Sequence, residues 1–285
     1  MSRRSTLSVG WVFALARSGS SITAYASAAP WNLPVADEIM GPWDRTEPPY
    51  NYPPEQAELV RMFKASHAAL TPQVADLTRS ILMKLADQSG SSRIVSKHPH
   101  LRFTPEELAE RFPEDRGIWI IRNPLRRLAS IHARGWTSIV RPNHDLDFFR
   151  EYAERWLSLP TTSTLVFESL KRDPYAYFAK IFDAWGWNAT LGDIDRAVAY
   201  QQSKYHGNSG GVEPEHTPGK TVSDSAKNVP EEAVDLYLSD PFMRDLFKRL
   251  GWSLRASDYI PSPPSIAVRL RTKLAHLASE DVERA

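Results

Sequence analysis

The chain has no cysteine. This absence excludes disulfide bonds, zinc sites built on thiolates and cysteine nucleophiles, and it is typical of cytoplasmic enzymes. An excess of either charge is also lacking, since the 285 residues carry a formal net charge of +1. A chain so close to neutral has no overall field that attracts nucleic acid or an anionic membrane, so any anion site must be built locally. We therefore expect a cytoplasmic protein with no nucleic-acid partner.

Apolar runs long enough to cross a bilayer are absent as well. The run from Val9 to Ala16 has eight residues, whereas a spanning helix needs about 20. Placed between Arg3-Arg4 and the small residues 26–29, this run resembles a twin-arginine export signal. The polar segment Arg17 to Ser21 interrupts it where the apolar core of such a signal should continue. Export is therefore the less favoured alternative to a cytoplasmic location.

The remaining composition is that of a globular enzyme. With 42% hydrophobic residues, the chain can bury a large core. Predicted strands alternate with predicted helices, which indicates a three-layer α/β/α fold around a central, mostly parallel sheet. The predicted strands are 8–16, 93–96, 117–121 and 164–167, and the helices are 20–29, 55–69, 71–88, 124–134 and a segment that Asp173-Pro174 opens and that ends near Gly186.

We expect a single α/β domain over residues 1–285. Five prolines lie in the segment 41–54 together with three aromatic residues, which predicts an irregular insertion. Residues 136–144 and 203–211 are predicted to be irregular too, and the second, rich in glycine, is a candidate lid over a bound ligand. An amphipathic terminal helix is expected at about 264–284, and it could pack on the body or join two subunits in a homo-oligomer.

One motif follows the first strand directly. The residues are Arg17, Ser18, Gly19, Ser20 and Ser21, and a helix is predicted to start among them. Backbone N–H groups converge in such a turn, and the helix dipole adds roughly half a positive charge at that point. Arg17 brings a full charge, and the serine hydroxyls can donate hydrogen bonds. This P-loop-like strand, turn and helix predicts a phosphate or sulfate site.

A second motif follows the strand 117–121. Arg122 comes at its carboxyl end, Pro124 suits the start of a helix, and Ser130 lies about two turns along that helix. In open parallel sheets, ligands bind beyond the carboxyl ends of the strands. Arg122 and Ser130 are therefore expected to hold one phosphate from two sides, close to the first motif.

In their order and strand context, these motifs resemble those of sulfotransferases that use 3′-phosphoadenosine 5′-phosphosulfate (PAPS). The resemblance implies that the loop Arg17 to Ser21 binds the 5′-phosphosulfate and that Arg122 and Ser130 bind the 3′-phosphate. The segment 165–174 is similar to a later strand of that family. Lys220 lies in a segment that resembles, more weakly, a family loop that also contacts the 3′-phosphate. PAPS would be the donor, adenosine 3′,5′-bisphosphate (PAP) the product, and no metal would be required.

Three positions depart from the family pattern. Arg17 stands where the cytosolic branch has a lysine, so the cation can fork across two oxygens. Ile22 replaces a tryptophan that stacks on adenine, and Phe167 replaces a tyrosine. These changes affect the contacts expected for adenine more than those expected for the phosphates.

The resemblance also implies a general base after the second strand of the family. His98 and His100 occupy that region, and either could accept a proton from an acceptor hydroxyl. His98 is the first choice because it follows the predicted strand more closely and comes directly after Lys97. Lys97 itself could help to neutralise the leaving phosphate.

The sequence therefore predicts a sulfotransferase that moves a sulfuryl group to a hydroxyl or amine of a small-molecule acceptor by in-line displacement. One alternative is a P-loop nucleotide kinase, although the string G-x-x-x-x-G-K-[ST] does not occur. A second alternative is a non-catalytic protein that binds PAP or another nucleotide.

Overall fold

The structure is a computed structural model that describes residues 7–37, 72–98, 105–132, 142–203 and 229–260. The strands are β1 Ser8–Ala14, β2 Val35–Asp37, β3 Arg93–His98, β4 Arg116–Ile121 and β5 Thr164–Val166. The helices are α1 Ser20–Ala28, α2 Pro72–Gln88, α3 Pro105–Arg111, α4 Pro124–His132, α5 Pro142–Ser158, α6 Ser169–Arg172, α7 Pro174–Ala184, α8 Leu191–Ser203, α9 Glu231–Ser239 and α10 Pro241–Leu250.

The strands form one sheet in the order β2-β3-β1-β4-β5, and every neighbouring pair is parallel. β1 is the central strand, and its side chains are almost wholly apolar and buried. A strand covered on both faces must be apolar along its length, because neither face meets water. The predicted α/β fold with a parallel central sheet is confirmed.

Two apolar clusters cover the two faces of the sheet. Val12 and Ala14 of β1 point toward α1, α6, α7 and α8, whereas Trp11 and Phe13 point toward α2, α3, α4, α5, α9 and α10. This alternation follows from the two-residue period of a strand. The fold therefore has three layers.

Local capping explains where two helices begin. Asn123 accepts a hydrogen bond from the backbone N–H of Arg126 at 3.1 Å, and Pro124 occupies the first helical position of α4. Asp173 accepts from the N–H of Ala176 at 2.9 Å, directly before Pro174 of α7. A short polar side chain followed by proline is favourable at a helix start.

Several predicted boundaries were wrong. β1 ends at Ala14 instead of residue 16, because the chain turns there, and β3 continues to His98 instead of residue 96. The edge strand β2 was not predicted, since its three residues are too few for a periodic pattern. The predicted irregular segment 136–144 is helical from Pro142 onward, where α5 starts.

Some expectations lie outside the described residues. These are the insertion 41–54, the helix 55–69, the terminal helix 264–284, the segment 204–211, Lys220 and His100. The single domain over 1–285 stays a prediction. None of the helices in the described ranges is long and apolar enough to cross a membrane. The run that resembled an export signal forms the central strand, so cleavage after Ala29 would remove β1 from the sheet.

We expect Gly10→Ala to destabilise the fold. A Cβ atom at Gly10 would lie 2.6 Å from the ring of Trp185, which is 4% exposed and cannot move aside. Overpacking of this kind costs about 1–3 kcal/mol. Urea denaturation should show this loss of unfolding free energy. The control is Gly192→Ala in α8, where the nearest atoms would lie at 3.8 Å. An unchanged unfolding midpoint for Gly10→Ala would contradict this account of the packing.

Candidate functional site

The turn between β1 and α1 has a constrained backbone. Arg17 has a φ of +67° and Gly19 a φ of +90°. The left-handed conformation costs a non-glycine residue about 1–2 kcal/mol, so the surroundings of Arg17 must compensate for it. A Cβ atom at Gly19 would lie 1.9 Å from the ring of Phe167. Gly19 is therefore required both by its φ and by the close approach of that ring.

The first turn of α1 leaves donors directed at the space above the loop. The N–H of Thr23 donates to the carbonyl of Gly19 at 3.1 Å, which is the first bond of the helix. The N–H groups before Thr23 have no partner within the helix. Gly19 precedes the helix without a side chain that could cap it, and Ser20 to Thr23 include no acidic residue. This amino terminus therefore keeps its positive end available for an anion.

The two predicted phosphate motifs come together. The Arg122 guanidinium donates to the backbone carbonyl of Arg17 at 2.6 Å, and Nε of Arg17 donates to Oγ of Ser130 at 3.1 Å. Arg122 is 7% exposed and Ser130 is 8% exposed. Residues more than a hundred positions apart thus share one small volume, in which two guanidinium groups and the helix terminus raise the local positive potential.

Lys97 approaches the same loop from β3. Its Nζ donates to Oγ of Ser21 at 3.0 Å and forms an ion pair with Asp37 of β2 at 2.7 Å. Lys97 and Asp37 are each 1% exposed. Tyr25 of α1 donates to the second oxygen of Asp37 at 3.3 Å. Lys97 is therefore buried beside the helix terminus with a carboxylate that balances its charge.

His98 lies on the other face of β3. It was expected in a loop after the strand, but it is the last residue of β3 and is 2% exposed. Its ring centroid lies 5.4 Å from that of Trp11 and 5.9 Å from that of Phe13, and Nε2 is 3.1 Å from Oγ of Ser96. Successive side chains of a strand point to opposite faces, which separates His98 from the face that carries Lys97 and α1.

A cavity of about 730 Å³ opens beside Arg122. Its lining includes Phe167, Glu168, Gln201 and Trp252. Binding sites for drug-sized ligands usually have about 300–1,000 Å³, so the cavity is large enough for a nucleoside. Glu168 accepts a hydrogen bond from the N–H of Asn123 at 3.0 Å. Burial raises the pKa of Glu168, which favours the neutral carboxyl at this edge of the cavity.

Ile22 and Phe167, the two residues that depart from the family pattern where adenine contacts are expected, have different environments. Ile22 is 2% exposed and belongs to the apolar cluster under α1. Phe167 is also 2% exposed, and its ring lies below Gly19 with the Arg122 guanidinium 5.1 Å from the ring centroid. Phe167 therefore packs against a residue of each phosphate motif, Gly19 and Arg122, whereas Ile22 packs in the apolar core.

Sequence reasoning missed two charged residues near the loop. Asp37 stands in the short strand β2, where no pattern distinguished it. Arg127 follows Arg126 in α4, and only Arg127 is buried, at 3% exposure. A cation among the apolar positions of a helix was the available signal for Arg127, because such a cation needs a buried partner. Within the described ranges, no three His, Asp or Glu side chains come together as a metal-binding group.

The chain matches no protein-family model and no curated protein sequence. Among solved structures, it is similar to the sulfotransferase domain from the curacin biosynthetic pathway, with 14% identity and a TM-score of 0.46 over 89% of this chain and 100% of that chain. It is also similar to a sulfotransferase from Alicyclobacillus acidocaldarius, with 12% identity and a TM-score of 0.45 over 89% of this chain and 98% of that chain. Mouse sulfotransferase SULT7A1, complexed with PAP, has 12% identity and a TM-score of 0.42 over 87% of this chain and 84% of that chain. Likeness at this level does not decide the activity, so the functional argument depends on the residues themselves.

We expect Asp37→Asn to destabilise the protein strongly. The substitution removes the carboxylate charge beside Lys97 while the ammonium group stays buried. Breaking a buried ion pair in this way typically costs about 3–5 kcal/mol, whereas an apolar replacement of both partners is often close to neutral. The double variant Asp37→Asn with Lys97→Met should therefore recover much of the unfolding free energy in chemical denaturation.

An exposed ion pair serves as the control for this measurement. Glu151→Gln removes the partner of Arg155, where the glutamate side chain is 67% exposed. Loss of such a pair changes stability by about 0–1 kcal/mol. Equal effects of Asp37→Asn and Glu151→Gln would show that the Lys97 pair is not buried as described.

Proposed function

We propose that the protein is a PAPS-dependent sulfotransferase that transfers the sulfuryl group to a hydroxyl or amine of a small-molecule acceptor. One observation carries the proposal: Arg122 and Ser130 meet the loop Arg17 to Ser21 at the amino terminus of α1. A donor with two separate phosphate groups needs two adjacent anion sites, and this arrangement supports both.

The loop would bind the 5′-phosphosulfate. Backbone N–H groups of the α1 terminus and the hydroxyls of Ser20 and Ser21 would donate to its oxygens, with Arg17 and Lys97 as the nearby cations. As the acceptor oxygen forms its bond to sulfur, the bond from sulfur to the bridging oxygen breaks and negative charge develops on the 5′-phosphate of PAP. Preorganised donors at such a position typically lower a barrier by about 3 kcal/mol each.

The 3′-phosphate would lie between Arg122 and Ser130. Arg122 lines the cavity of about 730 Å³, so the nucleoside of the donor would occupy that cavity next to the phosphate. Two aromatic residues, Phe167 and Trp252, are part of the lining of this cavity. Lys220 would add a further cation to the 3′-phosphate, although it lies outside the described residues.

The general base remains a choice between two histidines. His98 is the residue that the sequence favours, but its packing between Trp11 and Phe13 weighs against contact with an acceptor. His100 follows two residues later, outside the described residues. PAPS supplies an activated sulfuryl group, so the protein must deprotonate the acceptor and stabilise the departing phosphate.

The proposed function predicts selective binding of PAP. In calorimetric titration we expect PAP to bind more tightly than ADP, because only PAP carries a 3′-phosphate for Arg122. Arg122→Ala should remove this preference, with a loss of roughly 10- to 100-fold in PAP affinity, as for a charge-assisted hydrogen bond. Arg155→Ala, at a half-buried arginine of α5 that pairs with Glu151, should bind PAP like the wild type.

The same titration distinguishes the alternatives. Equal or preferred binding of ATP would contradict the sulfotransferase proposal and favour a nucleotide kinase. Selective PAP binding without sulfuryl transfer to any acceptor in a broad screen would favour a non-catalytic PAP-binding protein.

The proposed function also predicts the effect of removing the general base. Replacing the catalytic histidine by glutamine should lower kcat by about 10²- to 10⁴-fold and leave PAP affinity unchanged. It should also abolish the acidic limb of the pH profile of kcat/KM.

The variants His98→Gln and His100→Gln form a matched pair that identifies the base. A packing role for His98 would appear as a lower melting temperature with near-normal kcat, because the ring contacts Trp11 and Phe13. Normal kcat in both variants would overturn the histidine base.

A further inference from the structure

A buried charged cluster lies behind the loop, on the face of the sheet opposite to α1. Arg127 of α4 forms an ion pair with Asp145 of α5, and the hydroxyl of Tyr237 in α9 donates to the other oxygen of Asp145 at 2.6 Å. Arg127 is 3% exposed, Asp145 is 6% exposed and Tyr237 is fully buried. Arg127 stands between Arg122 and Ser130 in the sequence, but the phosphate contacts proposed above use none of these three residues.

Arg127 and Tyr237 keep fixed protonation states in this cluster. Burial lowers the pKa of Arg127, but Asp145 and Tyr237 together more than offset this effect, so the net shift is upward. Burial and the same carboxylate raise the pKa of Tyr237 well above its usual range. Arg127 therefore remains a cation and Tyr237 remains a donor across the physiological pH range.

Stability alone does not account for this cluster. Removing two charges from water is costly, and apolar residues of similar volume often stabilise a core equally well. An additional contact distinguishes Arg127 from a purely structural cation. Its second terminal nitrogen, Nη1, points at the backbone carbonyl of Ala16 from 3.4 Å.

The Ala16 carbonyl belongs to the peptide unit that precedes Arg17. The next carbonyl, that of Arg17 itself, accepts the hydrogen bond from Arg122 at 2.6 Å. Two guanidinium groups therefore contact consecutive carbonyls, one on each side of the residue whose φ is +67°. Rotation of either peptide unit would change the φ or ψ of Arg17 and redirect its side chain.

We infer that Arg127 is a positioning residue for Arg17: it orients the Ala16 peptide so that Arg17 keeps its left-handed conformation and presents its guanidinium at the anion site. Asp145 and Tyr237 fix Arg127 in turn. The catalytic consequence of this inference rests on the proposed function, whereas the conformational part concerns the loop itself.

Arg127→Lys tests the inference. Lysine retains the positive charge for Asp145, but a compact ammonium group cannot also reach the Ala16 carbonyl as the guanidinium fork does. We expect a melting temperature close to that of the wild type, a PAP affinity lower by about three- to tenfold, and faster amide hydrogen exchange in a peptide that covers residues 15–19. Arg155→Lys, at a half-buried arginine of α5 that pairs with Glu151, is the matched control and should change none of these quantities.

A double-mutant cycle separates positioning from general loosening. If Arg127 acts through Arg17, Arg127→Lys should have no further effect on PAP affinity in an Arg17→Ala background. Additive losses would overturn the inference, as would wild-type exchange of residues 15–19 in Arg127→Lys. If Arg127→Lys does not fold, Tyr237→Phe takes its place, because it removes only the hydroxyl that orients Asp145.

The two proposals can fail separately. Lack of PAP binding by the wild type would refute the proposed function, and hydrogen exchange of residues 15–19 would still decide whether Arg127 positions the loop. Normal PAP binding by the wild type, with wild-type exchange and affinity in Arg127→Lys, would refute the positioning role alone.

Discussion

The site depends on the hydrogen bond from the Arg122 guanidinium to the carbonyl of Arg17, at 2.6 Å. It joins the loop after β1 to the residue that follows β4, and these two strands are direct neighbours in the sheet. A parallel arrangement brings the carboxyl ends of neighbouring strands to the same edge, so the fold itself produces this meeting of motifs. The proposed function follows from the convergence of cations at that edge, since one guanidinium alone would bind many anions weakly.

The features of the site that the sequence predicts are those that depend on residues close together in the chain. β1 and β4 are apolar along their length because helices cover both faces, and Asn123-Pro124 marks a helix start by capping chemistry. From these local signals, the order of motifs along a parallel sheet already placed Arg17, Arg122 and Ser130 together. The predicted convergence was therefore a consequence of topology and required no knowledge of side-chain packing.

Features that depend on distant partners were not predictable in the same way. Lys97 was identified as a cation near the site, but its partner Asp37 stands in a three-residue strand without a periodic pattern. His98 was expected after the strand, but β3 continues two residues further, so His98 belongs to the strand and its side chain points to the face opposite to that of Lys97. In both cases the error came from the ends of short elements, where propensity carries least information.

The two buried ion pairs have one feature in common: the cation of each pair also contacts the loop after β1. Packing of the core does not require this contact. Lys97 with Asp37 lies on the α1 face of the sheet, and Arg127 with Asp145 lies on the opposite face. Each cation also donates to one end of the loop, Lys97 to the hydroxyl of Ser21 at 3.0 Å and Arg127 to the carbonyl of Ala16 at 3.4 Å. Each carboxylate stabilises a buried cation that directs a further donor at the loop. Because apolar pairs would fill the same volumes without providing donors, we attribute both pairs to the orientation of the loop, which must hold its left-handed turns before an anion arrives.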